Sequence, residues 1–403
     1  MRVSALLHNI LNKRVVYFPP AWYNNSEVIK VKLLKVKVSH FKNCCDDFTI
    51  DFTAKSKKTA EDREYELQAV GDGLYVYNTA AFIGKNASGK TTAIELLDCC
   101  YSILGEFCLE NKPYNYDGIV LEIFFYHEGN IYRYNTELAP SETLSNKAAF
   151  LHQKLFYKRY YKSKVKDIFS DNDYIPVPNI NELPEDTSIT FFVLKKKENR
   201  AVYFPCDGEG QDTYRLLFKA IKRFDLSPDL LAVILKLFDG NIQDLQMVDD
   251  HNYRLLYDGR EQMLSDKELV HLLSSGTTKG ILLYTFVAAS LKNGFDLLVD
   301  EIENHFHKTL VENMLSLYKD KAVNRRQAAL IFTTHYCEVL DLFNRQDNIW
   351  VCKADQQVSL SNMHEVYHVR SELSKSRQFY HDAFDTAVNY QDLMQLKKEL
   401  MGL

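Results

Sequence analysis

The sequence predicts an α/β fold: a mixed or parallel sheet flanked by helices, with an α-rich subdomain inserted into it. Three observations predict this architecture. A glycine-rich pattern, G-x-x-x-x-G-K-[ST], lies between an apolar run at Tyr75–Ile83, typical of a buried strand, and a segment at Thr92–Leu104 with helical spacing of its apolar residues. Two further apolar runs, Phe295–Val299 and Ala328–Thr334, each lead into polar residues. Buried strands that alternate with helices are typical of parallel sheets.

Length and composition exclude several classes of protein. The chain has 403 residues, of which 46% are hydrophobic, so it can bury a sizeable core, and its net charge of -5 excludes a general polyanion binder. It has neither an apolar run of membrane-spanning length nor a leader pattern, so we expect a cytoplasmic protein that does not act at a membrane. The cysteines include the adjacent pairs Cys44–Cys45 and Cys99–Cys100, which predict reduced thiols rather than disulfides or a zinc site.

The elements before and after the glycine-rich pattern are read from periodicity. Val31–Val38 and Phe48–Phe52 alternate polar and apolar residues and predict strands. Val120–Tyr134 predicts a hairpin that turns at His127–Asn130. Residues 140–270 are more polar, and we expect them to be more helical, with one helix starting at Ser227-Pro228.

Residues 84–91 complete the pattern of a phosphate loop and predict that the chain binds a nucleoside triphosphate. The glycines let the backbone approach a phosphate chain closely, and the start of the next helix supplies oriented N–H groups. Lys90 is expected to contact the β- and γ-phosphates and to assist catalysis, and the Thr91 hydroxyl to bind Mg²⁺. The residues expected to bind ATP are Gly84, Lys85, Asn86, Ala87, Ser88, Gly89, Lys90, Thr91 and Thr92.

The two later apolar runs supply the other half of such a site. The first leads into Asp300 and Glu301. Asp300 is expected to hold Mg²⁺ through water, and Glu301 to orient or deprotonate the attacking water. The second run leads into His335. Because ligands bind at the carboxyl edge of the strands in an α/β sheet, His335 is expected to touch the γ-phosphate. Glu301, His335 and Lys90 are therefore the predicted catalytic residues.

A second anion site is predicted where Ser274-Ser275-Gly276 opens the apolar helix Ile281–Leu291. The order of phosphate loop, Ser-Gly turn, acid pair and histidine resembles that of the ATP-binding-cassette ATPases. In that family a Leu-Ser-Gly-Gly-type signature on one subunit clamps the γ-phosphate bound by the other. Leu273–Thr277 matches the signature with Ser in place of the first Gly. The resemblance implies a head-to-tail homodimer or higher oligomer that forms through ATP, with Ser274, Ser275 and Gly276 as ATP-binding residues.

Four segments narrow the resemblance to the AbiL-type abortive-infection ATPases (the AAA15/AAA21 group), whose heads resemble those of ATP-binding-cassette and structural-maintenance-of-chromosomes ATPases. That group is related to the ATPase components of the OLD and PARIS anti-phage systems. The segments are the opening strand "KLLKVKVSHFKN", the phosphate loop "AFIGKNASGKTT", the acid pair in "LLVDEIENHFH" and the switch histidine in "IFTTH".

The resemblance implies a division of the chain into an ATPase head, an insert and two flanking segments. The predicted parts are an N-terminal extension at 1–30, the first half of the head at 31–110, a mixed inserted subdomain at 111–255, the second half of the head at 256–365 and a helical tail at 366–403.

Two weaker signals leave alternatives open. Residues 152–166 combine lysines, an arginine and tyrosines without an acid, which fits nucleic-acid binding, a solvated helix that faces an acidic protein partner, or a plain solvated face. His305 and His307 lack the accompanying ligands of a metal site, so we expect a structural or interface role for them.

The sequence thus favours a slow ATP hydrolase that senses phage infection in a prokaryotic abortive-infection system. The resemblance implies a separate effector protein, a nuclease or a toxin, because fewer residues follow His335 than a fused nuclease domain needs. We expect this chain to have no nuclease activity of its own. A DNA repair or maintenance ATPase of the RecF or Rad50 kind is the alternative, and a non-hydrolysing nucleotide-dependent scaffold is a third class.

Overall fold

The computed structural model describes residues 31–178, 183–198, 200–205, 212–304, 307–367, 374–384 and 390–401. The predicted extension at 1–30 and His305 lie outside these ranges. Within them the strands are β1 (Lys32–Ser39), β2 (Phe48–Asp51), β3 (Leu67–Gly71), β4 (Leu74–Tyr77), β5 (Thr79–Ile83), β6 (Ile119–His127), β7 (Asn130–Pro140), β8 (Ala148–Arg159), β9 (Ile175–Pro176), β10 (Ala201–Phe204), β11 (Ile242–Met247), β12 (Asn252–Tyr257), β13 (Arg260–Ser265), β14 (Asp296–Val299), β15 (Leu330–Thr334), β16 (Ile349–Ala354) and β17 (Val358–Asn362).

The α-helices of the same ranges are α1 (Lys90–Glu106), α2 (Phe191–Leu194), α3 (Thr213–Arg223), α4 (Pro228–Phe238), α5 (Asp266–Leu272), α6 (Ser275–Asn293), α7 (Lys308–Lys319), α8 (Met363–Val366), α9 (Lys375–Tyr380) and α10 (Tyr390–Met401). A π-helical turn covers Asp62–Glu66, and 3-10 helices cover Lys162–Asp167 and Cys337–Leu342. Among the described helices, none combines the length and the apolar character needed to cross a bilayer.

A mixed sheet with the strand order β10-β14-β15-β5-β16-β17 forms the centre of the molecule. Its first five strands run parallel, and β17 pairs antiparallel with β16 at the edge. Val299 pairs with Phe332, and Thr334 pairs with Ile83, so β14, β15 and β5 end at the same edge. The residues that follow these three strands therefore meet there.

Both faces of the central sheet are buried, because successive side chains of a strand point to opposite faces. One face packs in a core with α1 and a second, antiparallel sheet, through Ala80, Phe82, Leu298, Ile331 and Trp350. The other face packs in a core with α3, α4, α6 and α7, through Ala81, Ile83, Leu297, Val299, Phe332 and Val351. The predicted fold class, an α/β phosphate-loop ATPase architecture with a mixed sheet and flanking helices, is confirmed.

The antiparallel sheet has the order β2-β1-β6-β7-β8-β9. It contains the predicted hairpin, in which His127 at the end of β6 pairs with Asn130 at the start of β7. The helical interpretation of residues 152–166 is wrong, because 152–159 belong to β8 and its Lys154 pairs with Asn135 of β7. Tyrosine-rich segments favour strands when a partner strand is available, and β7 supplies that partner.

Residues 111–255 contribute to both large sheets. Strands β6, β7 and β8 extend the antiparallel sheet beside β1, and β10 forms the edge of the central sheet beside β14. The helical part of this segment is α2, α3 and α4, of which α3 and α4 pack in the second core with α6. The strand pairing thus joins the expected insert to the core of the molecule.

Candidate nucleotide site

The phosphate loop connects β5 to α1 and packs against β16 and β17, at one edge of the central sheet. Gly89 has a φ of +91°, in the region that favours glycine, and a Cβ there would approach Val358 of β17 to 2.2 Å. A Cβ at Gly84 would approach the carbonyl oxygen of Cys352 to 2.5 Å. Both glycines are therefore required by close packing on β16 and β17, in addition to the approach of a phosphate.

The start of α1 is suited to an anion. Gly89 is its N-cap and has no side chain with which to cap the first N–H groups, and the first turn contains no acidic residue. Lys85, Asn86 and Ala87 are exposed at the tip of the loop. A polyphosphate that lies along this loop would accept hydrogen bonds from the free N–H groups and gain from the helix dipole.

Lys90 is buried beneath the loop and is held by it. Its Nζ donates to the carbonyl oxygens of Gly84, at 3.1 Å, and Lys85, at 3.0 Å. Burial lowers the pKa of Lys90, and the negative charges of Glu301, Glu303 and Asp300 oppose that shift. An ammonium has three donors, so a third N–H remains to be donated to a phosphate oxygen.

Asp300 brings the phosphate loop and the strand ends together. It is only 4% exposed, and its Oδ2 accepts from the Thr91 hydroxyl at 2.9 Å. Its Oδ1 accepts from the Thr333 hydroxyl at 2.7 Å. Burial raises the pKa of Asp300, and the two hydroxyl hydrogen bonds and the charge of Lys90 act in the opposite direction.

The Thr91 and Asp300 oxygens fit a Mg²⁺ ion. They are adjacent hard oxygen ligands, and a cation would offset the cost of burying the carboxylate. The described residues contain no cluster of three or more histidine, cysteine or acidic side chains that could hold a metal alone. Mg²⁺ bound through one carboxylate, one hydroxyl and the phosphates of a nucleotide does not need such a cluster.

Glu301 and His335 lie side by side at the carboxyl ends of β14 and β15. Glu301 has a φ of +51°, an unfavourable conformation for a residue with a side chain. Its N–H donates to the Thr333 hydroxyl at 2.6 Å, which holds this conformation in place. Its Oε1 lies 3.6 Å from Nε2 of His335, and both side chains are about one-third exposed. A solvent-accessible carboxylate beside an imidazole can orient a water molecule and contact a phosphate.

The sequence pattern predicted no role for two residues of this site. Thr333 donates to Asp300 and accepts from Glu301, so it connects the two acids. Glu303 is 7% exposed, and its Oε1 accepts the backbone N–H of His335 in a short hydrogen bond. The sequence signal for these two residues was weak. Thr333 at the end of β15 and Glu303 after β14 become informative only once these two strands are known to be neighbours.

Ser274 lies in a different setting, at the start of α6. Its Oγ accepts the N–H of Thr277 at 3.0 Å and lies 2.8 Å from the Thr277 hydroxyl, so it is the N-cap of the helix. Ser274 and Ser275 are exposed and Gly276 is half-buried, whereas Leu273 is buried below them. The predicted turn thus forms an exposed helix N-terminus, and its action across a subunit interface stays a prediction.

Comparison with known proteins agrees with this geometry. A family of ATPase domains, AAA_21, described as "AAA domain, putative AbiEii toxin, Type IV TA system", matches residues 80–341. The chain belongs to this family. The matched range runs from β5 through the phosphate loop, α6, the acid pair and His335. The chain is therefore a phosphate-loop ATPase of the AAA type, and ATP with Mg²⁺ is the cofactor pair that such a family implies.

Three solved structures are among those similar to the chain. The SMC head domain from Thermotoga maritima is 12% identical, with 82% of this chain and 98% of that chain covered and a TM-score of 0.38. An SmcHead bound to the C-winged helix domain of ScpA is 12% identical, with 84% and 99% covered and a TM-score of 0.42. CbiO1 from Clostridium perfringens, part of the ABC transporter complex cbiONQ, is 12% identical, with 83% and 97% covered and a TM-score of 0.29. None of the curated proteins compared with the chain matches it significantly.

Proposed function

We propose that this protein is a cytoplasmic ATPase that hydrolyses ATP slowly as a head-to-tail dimer and acts as the sensor of an anti-phage abortive-infection system with a separate effector. The observation that carries the enzymatic part is the hydrogen-bonded path from Thr91 through Asp300 and Thr333 to Glu301, with His335 beside its end. This path joins the residues that would bind Mg²⁺ to those that would act on water.

The proposed roles follow from the contacts of each side chain. Lys90 and the N–H groups at the start of α1 bind the phosphates. Thr91 and Asp300 would hold Mg²⁺, which when bound neutralises charge on the β- and γ-phosphate oxygens. Glu301 accepts a hydrogen bond from the attacking water and draws its proton towards the carboxylate. His335 is near enough to Glu301 to contact the same water or the γ-phosphate.

The dimer is supported by the exposed turn at the start of α6. An exposed helix N-terminus with a serine cap can bind an anion presented by another molecule. We expect Glu301→Gln protein to sediment as a larger species when ATP is added, because ATP then stays bound. Adding Ser274→Arg should abolish this shift, since an arginine would occupy the space needed by the partner's nucleotide.

A matched control separates this clash from the loss of a helix cap. Ser265 caps the preceding helix, α5, through a capping box with Glu268. Ser265→Arg loses a cap of the same kind, worth about 1 kcal/mol, but leaves the Ser274 turn unchanged. If the two arginine variants behave alike, or if ATP has no effect on sedimentation, the sandwich is not the mechanism.

The defence role is supported by the family description, which names a toxin and a toxin–antitoxin system. We expect the chain expressed alone to be harmless and to leave phage plating unchanged, and the chain with its neighbouring gene to protect. The purified chain should not cut DNA or RNA with Mg²⁺ or Mn²⁺. Protection by the chain alone, or nuclease activity that depends on Glu301, would contradict the division between sensor and effector.

The alternative of a DNA repair ATPase requires a surface that binds nucleic acid, and the basic stretch at 152–166 was one candidate for it. Lys158 donates to the carbonyl oxygens of Asp167 and Ser170 at 2.9 Å each, and Lys164 forms an ion pair with Asp173. These charges stabilise the neighbouring segment of the chain. We therefore favour a solvated, structural role for the stretch, and we expect duplex DNA to leave ATP turnover unchanged.

A further inference from the structure

Glu303 is a buried acid whose contacts do not explain its burial. It follows β14 by four residues, and the residue is 7% exposed. One carboxylate oxygen, Oε1, accepts the backbone N–H of His335. The other, Oε2, is fully buried and has no hydrogen-bond partner among the described residues.

Such an arrangement is unfavourable for folding. A buried carboxylate with an unpaired oxygen loses its hydration without full compensation, and an apolar residue of similar size would cost less. A single hydrogen bond from a main-chain N–H offsets only a small part of that desolvation free energy. Groups that destabilise the fold in this way are concentrated at functional sites, so the bond from Glu303 to His335 points to a role in function.

The loop after β14 and the end of β15 are joined by a short series of hydrogen bonds. Asp300 and Glu301 both bond to the Thr333 hydroxyl, and the Ile302 N–H donates to the Thr333 carbonyl oxygen at 3.0 Å. The Glu303–His335 bond is the next in this series and lies one residue beyond the end of β15. It is the contact that acts on His335 itself, whereas the others act on Thr333.

We infer that Glu303 is a positioning residue: its carboxylate fixes the main chain at His335, and thereby holds the imidazole beside the Glu301 carboxylate. This inference rests on the proposed ATPase function of the site. It does not make Glu303 a catalytic residue, because Glu303 reaches the reacting groups through the backbone of His335.

Removing the carboxylate should affect turnover and spare ATP binding. Lys90, Thr91 and Asp300 are held by contacts that do not include a hydrogen bond to Glu303. Glu303→Ala should therefore have the same KM for ATP as Glu303→Gln, since both variants lack the charge that acts on Lys90. It should lower kcat by about 10- to 100-fold, the loss expected when one hydrogen bond to a charged group that positions a catalytic side chain is removed. Glu303→Gln retains an acceptor oxygen for the His335 N–H and should keep most of the parental kcat.

The deciding experiment is a double-mutant cycle with His335→Ala, read by steady-state ATP turnover and by amide hydrogen exchange of residues 331–343. If Glu303 acts through His335, Glu303→Ala should have no further effect on kcat once the imidazole is removed. Hydrogen exchange of this segment should be faster in Glu303→Ala than in Glu303→Gln, because only the alanine leaves the His335 N–H unbonded.

The outcomes separate this inference from the proposed function. A parent protein without ATP turnover would contradict the ATPase proposal, and the exchange measurement would still decide whether Glu303 anchors the segment. Multiplicative losses in the double mutant would overturn the inference, because they would show that Glu303 acts independently of His335. A folded Glu303→Gln protein as impaired as Glu303→Ala would also overturn it, because the charge and not the hydrogen bond would then be the cause.

Discussion

The role of Thr333 is the sharpest consequence of the strand order, because one hydroxyl connects both acids of the site. Thr333→Val keeps the shape of the side chain but removes the bond to Asp300 and the acceptor for the Glu301 N–H. Losing a hydrogen bond to a charged group costs about 1.5–3 kcal/mol, and a neutral one about 1 kcal/mol. We therefore expect the free energy of unfolding to fall by about 2.5–4 kcal/mol.

Catalysis should fall as well, because the Glu301 backbone is held in a conformation that costs about 1–3 kcal/mol by itself. Without the Thr333 hydroxyl, Glu301 can relax away from its position beside His335. The assay is steady-state phosphate release with saturating Mg²⁺ and ATP, together with thermal unfolding. We expect a decrease in kcat of about 10-fold or more, which corresponds to at least 1.36 kcal/mol of lost transition-state stabilisation.

Thr334→Val provides the matched control. Thr334 is the next residue of β15, it is equally buried, and its hydroxyl accepts the N–H of Tyr336 at 2.9 Å. It makes no described hydrogen bond to either acid. The Thr334→Val variant should lose a comparable free energy of unfolding per hydrogen bond removed, and it should keep most of the parental ATP turnover. Equal turnover of Thr333→Val and the parent, in folded protein, would refute the assigned role of Thr333.

The remaining predictions concern nucleotide and metal. Lys90→Ala should weaken ATP binding by about 1.5–3 kcal/mol or more, measured by calorimetry, because a charge-assisted contact to phosphate is lost; parental affinity would contradict the phosphate-loop assignment. The raised pKa of Asp300 means that this carboxyl is protonated at a higher pH than an exposed aspartate. The ionised form of Asp300, which would hold Mg²⁺, is lost as pH falls through that raised value, so the thermal stabilisation by Mg²⁺ and ATP should decline there. Asp300→Asn should abolish the thermal stabilisation by Mg²⁺ and ATP, because it removes the carboxylate that would hold the ion.

The phosphate loop and acid pair could be predicted from the sequence because their information is local. The loop pattern fixes a strand, a turn and a helix within a few residues, and α1 was found where it was expected. The acid pair follows a short apolar strand, and the neighbouring strand leads to His335. These features needed only residue type and spacing, and the family match covers all of them.

The contributions of Thr333 and Glu303 could not be predicted, since they depend on which strands are neighbours. Neither residue has a pattern of its own, and their contacts join β14 to β15 across about thirty positions of the chain. Strand pairing also determines the structure of the apolar run Tyr75–Ile83, which the sequence predicted to be one strand. It is two, because β4 pairs with β3 and β5 pairs with β15 and β16. An unbroken apolar run carries no sign of such a change of partner.

The break between those strands falls at Asn78, whose side chain shows why. Its Nδ2 donates to the carbonyl oxygen of Tyr65 at 2.9 Å, and its backbone N–H donates to that of Glu66. These bonds connect the start of β5 to the π-helical turn at Asp62–Glu66, whose Tyr65 lies 13 residues earlier in the chain. Tertiary hydrogen bonds of this kind override local strand propensity.

The central claim is that Glu301, held beside His335, activates water for ATP hydrolysis, and single-turnover phosphate release from Glu301→Gln tests it most directly. Glutamine preserves the size of the side chain and leaves Asp300, Thr91 and Lys90 in place for Mg²⁺ and ATP. The account predicts that the variant binds ATP with parental affinity and releases phosphate at least about 100-fold more slowly, as expected when a general base is lost. Parental phosphate release by ATP-bound Glu301→Gln protein would contradict it.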